Sequence, residues 1–169
     1  MTTIIALKEK GQIFLGFDSV ITIKGSVRTI TTNQTKKVIK LNENSYIGFA
    51  GAIGAFDQIN LGKLKNILKI DSSYDLLVGT IVPEILSSLK KYGEITGDKE
   101  DALANYFIFV SGKEIYAVSG DGSVTSSDDF LSQGSGSVAA YGAFNALSGL
   151  NIGTFDKCLR IMKAAVNVD

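Results

Sequence analysis

Runs such as Ile4-Ile5-Ala6-Leu7 and Phe14-Leu15 place apolar side chains on both faces of an extended chain. Such strands must be covered on both sides, which excludes an open sheet with one face in water. The segments that could cover them come in adjacent pairs. The order along the chain is β-rich, two helices, β-rich, two helices. Strands grouped as hairpins with paired helices predict antiparallel sheets flanked by helix layers, an α+β sandwich. A doubly wound parallel sheet would need strict alternation of strand and helix, which this chain lacks.

The strands are expected at Thr3–Leu7 and Gln12–Asp18, joined by a tight turn over Lys8–Gly11. A second hairpin is expected over Ile21–Ile30, turning at Lys24-Gly25-Ser26. Lys37–Leu41 and Tyr46–Phe49 follow, separated by the polar turn Asn42-Glu43-Asn44-Ser45. After Ala50-Gly51-Ala52 the period changes. Ile53, Phe56, Leu64, Ile67 and Leu68 fall on one face of a helix running to about Lys69. The next helix is expected from Ser73 as N-cap, with Leu77, Ile81, Ile85 and Leu89 inward. Pro83 lies inside that pattern and predicts a kink or a later start. Beyond a polar connector at Asp98–Ala104, strands are expected at Tyr106–Ser111, Glu114–Ser119 and Phe130–Gln133. A helix should then run to about Leu150. The last helix, Thr154–Asn167, is expected to start at Thr154 as N-cap and to turn Phe155, Leu159, Met162 and Val166 inward. No repeat or linker is visible, so residues 1–169 are read as a single domain.

Composition narrows the chemistry. Lysine plus arginine (17) and aspartate plus glutamate (17) cancel, which argues against a phosphate-gripping nucleic-acid binder. A 45% hydrophobic, 20% charged chain can bury a core and is not disordered. No apolar run approaches the ~20 residues of a membrane helix, and Met1–Gly11 does not read as a signal peptide. One cysteine, Cys158, suits a reducing compartment, so a cytoplasmic address is expected. The chain has no histidine. That eliminates Ser–His and Cys–His catalytic pairs and histidine-dependent zinc sites. An enzyme built here must draw its base from a carboxylate, a lysine or a terminal amine, and no cofactor or metal is implied.

Five places could carry chemistry. Met1 before a small residue is ordinarily removed, which would expose Thr2 with a hydroxyl and a free α-amine. Such an amine has pKa ~7.7–8.0, suited to a general base at neutral pH. Asp18 ends an otherwise apolar strand and needs a partner. Lys36-Lys37 opens the strand Lys37-Val38-Ile39, and alternation sends one of the two lysines inward, where a carboxylate would keep it charged. Gly48-Phe49-Ala50-Gly51 sets a glycine just before a helix. Close approach of a substrate to the backbone, an oxyanion-binding N–H, or tight strand–helix packing would each use it. Gly134-Ser135-Gly136-Ser137 lies between a strand and a helix N-terminus. With Ala139 it also fits G-x-G-x-x-A, but that fingerprint belongs in a β-α-β unit, and here another helix follows.

Taken in order, Thr at the mature start, Asp18, Lys-Lys-Val, Gly-Phe-Ala-Gly before a helix and Gly-Ser-Gly-Ser before another resemble the proteasome β-subunit family. The chain looks most like its bacterial HslV-type threonine proteases, over nearly its whole length. The resemblance implies a four-layer αββα sandwich of the N-terminal nucleophile hydrolase type. It implies a threonine-type endopeptidase working in a homo-oligomeric ring, on peptides or unfolded proteins, with an ATPase unfoldase as partner. Thr2 would be the nucleophile and its own amine the base, tuned by the Asp18–Lys37 pair. Gly48 N–H would be the oxyanion donor, and Ser135 would bond near the Thr2 amine. Asp169 stands where the family has a second acidic residue. Ile21, Thr22, Tyr46 and Ala50 would line the substrate cleft, with Tyr46 setting the specificity pocket. Relatives continue past Asp169 with a Ser-Gly-Gly loop or its equivalent and further strands, so the fold is expected to be C-terminally short. With the same fold, a chain retaining Met1 would instead be a catalytically silent ring or shell protein.

Overall fold

Alternation along β1 (Thr3–Glu9) sorts its apolar residues into two cores, because successive side chains of a strand point to opposite faces. Ile4 and Ala6 enter one cluster with Ile108, Val110, Ile115, Ala117 and Leu131. Ile5 and Leu7 enter another with Phe130, Ala140, Cys158, Ile161 and Ala165. The computed structural model describes residues 2–23, 26–29, 37–51, 73–91 and 105–167.

β1 pairs antiparallel with β2 (Gln12–Phe17) and with β10 (Phe130–Gly134), giving a three-stranded sheet ordered β10-β1-β2. The turn between β1 and β2 uses Lys10 and Gly11, both at positive φ (53° and 76°). β3 (Val20–Ile23) and β4 (Ser26–Thr29) form a two-stranded hairpin. The second large sheet has five antiparallel strands in sequence order. They are β5 (Val38–Lys40), β6 (Ser45–Ala50), β7 (Tyr106–Ser111), β8 (Glu114–Val118) and β9 (Val124–Ser127). The edge strand β9 was not expected, because Val-Thr-Ser-Ser carries almost no apolar signal and none of its residues is buried.

Ile4 and Ala6 of the first sheet meet Ile108, Val110, Ile115 and Ala117 of the second between the two sheets. The far face of the five-stranded sheet presents Ile47, Phe49, Phe107, Phe109 and Val118 to a helix carrying Leu77, Ile81, Ile85 and Leu89. All four of those helix residues are at most 1% exposed, as their spacing predicts. The far face of the three-stranded sheet is covered by α3 (Ser137–Leu147) and α4 (Thr154–Val166). Helix, sheet, sheet and helix layers follow one another, so the expected αββα sandwich is what the chain forms.

The helix that starts at Ser73 resolves the proline problem in its own way. Ser73 is the N-cap, accepting from the Leu76 N–H at 3.3 Å. α1 (Tyr74–Leu76) runs into a π-helical segment at Leu77–Ile81 and continues as α2 (Val82–Lys91). Pro83 has no N–H, and its ring crowds the carbonyl four residues back in an α-helix. A widened turn just before it removes that conflict, so the inward stripe stays in phase. The helix expected at 53–69 and the connector at 98–104 lie outside the described residues.

α4 corrects the expected face. Lys157, Cys158, Ile161 and Ala165 are buried, whereas Phe155, Leu159 and Val166 are 65%, 43% and 42% exposed. Met162 is half-buried against β2, where Gly16 makes room: a Cβ there would lie 2.8 Å from Met162 Cγ. Burying a lysine is feasible because its Nζ pairs with Glu9 of β1 at 2.5 Å. The N-cap is Gly153 rather than Thr154, whose side chain bonds to Glu9.

Candidate active site

The antiparallel pairing of β1 and β10 sets Thr3 opposite Gly134, so the chain start and the Gly-Ser-Gly-Ser turn meet at one end of the sandwich. Pairing of β1 with β2 brings Asp18, just past β2, to the same end. Lys37 precedes β5 and is tied to the five-stranded sheet where the Phe49 N–H donates to its carbonyl at 2.9 Å. Four segments distant in sequence thus converge.

At the centre, Lys37 Nζ donates to Thr2 Oγ1 at 2.9 Å and to Asp18 Oδ2 at 2.7 Å. The lysine and aspartate side chains are only 10% and 6% exposed, so the pair is largely desolvated. Asp18 Oδ1 accepts the Thr3 N–H at 2.6 Å, and the Asp18 N–H donates to the Thr3 carbonyl at 3.2 Å. Those two bonds clamp the carboxylate to the residue next to Thr2. An ammonium held this way lowers the cost of negative charge on the threonine oxygen.

Ser135 addresses the other side of Thr2. Its Oγ accepts the Thr2 N–H at 3.2 Å and donates to the Thr2 carbonyl at 3.3 Å, and its own N–H donates to that carbonyl at 2.9 Å. The approach is close enough that Gly134, at φ +101°, admits no side chain: a Cβ would collide with the Thr2 carbonyl. Gly136 is held similarly, with any Cβ running into Thr3 Oγ1 and lying 2.6 Å from the Ala165 carbonyl. All described ladders are antiparallel, so Gly134–Ala139 does not sit in a dinucleotide-type β-α-β unit.

Gly48 lies on β6 between Val38 and Ile108, and a Cβ on it would stand 2.8 Å from Ile4 Cγ2. Because the Phe49 N–H points to Lys37, strand alternation turns the Gly48 N–H the other way, toward β7. Tight packing is therefore a visible reason for this glycine. Tyr46 is half-buried on the same strand, opposite Lys40, whose ammonium lies 6.0 Å from the ring centre. Ile21 and Thr22 fall on β3, opposite Arg28 and Val27. Lys36 and Asp169 lie outside the described residues.

A cleft of about 490 Å³ opens beside the triad, lined by Thr2, Ala50, Gly51, Tyr106, Gln133, Gly134, Ser135 and Ser137. Of the cleft-lining residues expected from sequence, Ala50 is here. Ser137 belongs to the Gly-Ser-Gly-Ser turn already singled out. Tyr106 and Gln133 were not foreseen; they are ordinary strand residues, Gln133 brought beside Thr2 by the β1–β10 pairing and Tyr106 by the other sheet, where it pairs with Ala50. The described lining carries no charged side chain.

A four-layer sandwich with a strand-initial threonine against a buried lysine–aspartate pair has the layout of the N-terminal nucleophile hydrolases. A family model, "Proteasome subunit", matches residues 1–168, and the chain belongs to that family. Among solved structures, the Thiobacillus denitrificans BPH protein in complex with epoxomicin superposes with a TM-score of 0.77 at 18% identity. The match covers 99% of this chain and 91% of that one. Eukaryotic HslV from Trypanosoma brucei gives a TM-score of 0.66 at 21% identity, with the same coverages. At these identities the likeness establishes the fold. Comparison with curated proteins returns no match.

Proposed function

We propose that this chain is the threonine-type endopeptidase subunit of a self-compartmentalised ring, cleaving peptide bonds through Thr2 once Met1 has been removed. The observation that carries the reading is the Lys37 ammonium 2.9 Å from Thr2 Oγ1 and 2.7 Å from Asp18. Family membership supports it, since proteasome subunits are generally threonine peptidases.

With the α-amine freed, Thr2 supplies both base and nucleophile. The amine takes the hydroxyl proton, the oxygen attacks the peptide carbonyl, and a tetrahedral oxyanion forms. The amine then returns the proton to the departing nitrogen, leaving an ester on Thr2. Water, deprotonated by the same amine, hydrolyses the ester. Lys37 stabilises the developing negative charge on the threonine oxygen, Asp18 keeps Lys37 charged and in place, and Ser135 orients the amine. Gly48 remains the proposed oxyanion donor, a role for which its N–H must leave the β7 side of the ladder. Asp169 keeps its proposed place as a second acidic residue. The substrate would lie extended, as an added strand, along Ile21, Thr22, Tyr46 and Ala50. A homo-oligomeric ring, an ATPase unfoldase partner and a cytoplasmic address belong to the same proposal, with residues 1–169 acting as one such domain.

Intact mass and N-terminal sequencing should show Thr2 as the first residue, and fluorogenic peptides should be cleaved by the wild type and not by Thr2→Ala. Retained Met1 with no turnover would overturn the peptidase reading. Ring particles seen by electron microscopy in that case would favour the silent shell protein, because an acylated Thr2 nitrogen has no basic lone pair.

A further inference from the structure

We propose that the cleft beside Thr2 selects the residue just after the scissile bond, with Gln133 and Tyr106 reading a neutral, hydrogen-bonding side chain there. The inference rests on the peptidase reading above and specifies which peptides that site favours. The departing nitrogen takes its proton from the Thr2 amine, so the residue bearing that nitrogen lies on the amine's side of Thr2. Ser135 marks that side, its Oγ 3.2 Å from the Thr2 nitrogen, whereas Lys37 approaches the hydroxyl. Ser135 and Gly134 both line the cleft, whose volume of about 490 Å³ admits a glutamine-sized side chain.

The cleft is the open end of the layer between the two sheets. On β10, Gln133 stands two residues after buried Leu131 and opposite Ile4, so it shares their inward face. On β7, Tyr106 stands two residues before buried Ile108 and opposite Ala50, and shares theirs. Ile4, Ala50, Ile108 and Leu131 are all apolar and buried, so packing alone would call for an apolar residue at 133. The glutamine departs from that pattern where the layer meets Thr2. Among the described residues, neither the Gln133 side-chain amide nor the Tyr106 hydroxyl has a hydrogen-bond partner. A half-buried amide offers a donor and an acceptor, which an asparagine or glutamine of the substrate would satisfy and a leucine would leave unpaired. The described lining carries no charged side chain, so an entering lysine or glutamate would lose water without gaining a counter-ion.

The test uses internally quenched peptides that differ only in the residue after the scissile bond, with cleavage sites mapped by mass spectrometry and kcat/KM measured on the full chain. The wild type should cleave before glutamine about tenfold faster than before leucine. Gln133→Leu should erase or reverse that ratio, and Gln133→Glu should shift the preference to lysine by about the same factor. Each readout is a ratio within one variant, so a change in overall rate does not enter, and if one variant fails to fold the other decides. A peptide ending in aminomethylcoumarin presents no side chain to the cleft and reports Thr2 chemistry by itself. No turnover of any peptide would overturn the peptidase reading and this inference with it. Coumarin release with no discrimination by the wild type, or ratios that the folded variants leave unmoved, would overturn this inference alone.

Discussion

Asp18 uses its two oxygens for different purposes, one holding the Lys37 ammonium and the other the Thr3 N–H. Removing one member of a buried ion pair leaves an uncompensated charge and costs about 3–5 kcal/mol, whereas neutralising both costs far less. We therefore expect Asp18→Asn and Lys37→Met each to lower stability strongly in urea unfolding. The double variant should recover much of that loss and yet stay inactive toward peptides. Recovery of activity along with stability would show that the pair only supports the fold. Gly134 gives a second residue-level prediction. Its φ of +101° and the contact with the Thr2 carbonyl make Gly134→Ala costly by roughly 1–3 kcal/mol or more. It should also displace Thr2, so turnover should fall even though residue 134 bears no reacting group. The presence of Asp18, Lys37 and Ser135 near Thr2 was implied by the family resemblance that their order in the chain carries. The split use of the Asp18 oxygens was not, since it depends on how β1 and β2 are paired.

Between elements, the Glu9–Lys157 pair fastens α4 to the β1–β2 hairpin. The hydrogen bond from Lys157, followed by that from Thr154, holds the Glu9 carboxyl below its ordinary 4.5. A carboxyl with a depressed folded pKa stabilises above its unfolded value, and that contribution is lost as pH falls through 4.5 to the folded value. Asp121, lowered by bonds from Ser123, acts in the same sense, its contribution lost as pH falls below its ordinary 3.8. Acid titration of unfolding should thus show a shallower loss of stability below about pH 4.5 in Glu9→Gln than in the wild type. An unchanged acid limb would show that the pair is energetically idle. On α3, Gly142 is exposed and a Cβ there meets nothing within 4 Å. Gly142→Ala should raise stability by about 0.5–1 kcal/mol through helix propensity, measured by the urea midpoint.

For the molecule as a whole, burial raises the pKa of the Cys158 thiol, which lies 7% exposed between α4 and the three-stranded sheet. As the only cysteine, it should react with a thiol reagent at the rate of global opening, and promptly in denaturant. Phe107, fully buried between the five-stranded sheet and α1–α2, should cost about 3–5 kcal/mol on truncation to Ala and accelerate that labelling in proportion. Rapid native-state labelling of the wild type would mean that the α4 layer opens independently of the sheets.

Local pattern alone determined the layers. Strands apolar on both faces demand cover on both, and the paired helices with a period-3.6 stripe at Leu77, Ile81, Ile85 and Leu89 could supply it. The convergence of Thr2, Asp18, Lys37 and Ser135 was implied only by the family resemblance that their order carries, not by local pattern. The tertiary structure decided the facing of α4, which carries two apolar stripes of similar strength. The carboxylate of Glu9 favoured the stripe that buries Cys158, Ile161 and Ala165, by neutralising Lys157 beside it, and Met162 alone of the other stripe reaches inward, at Gly16. It likewise decided the cleft. Tyr106 and Gln133 acquire a place beside Thr2 only when strand register brings together segments that no spacing along the chain connects.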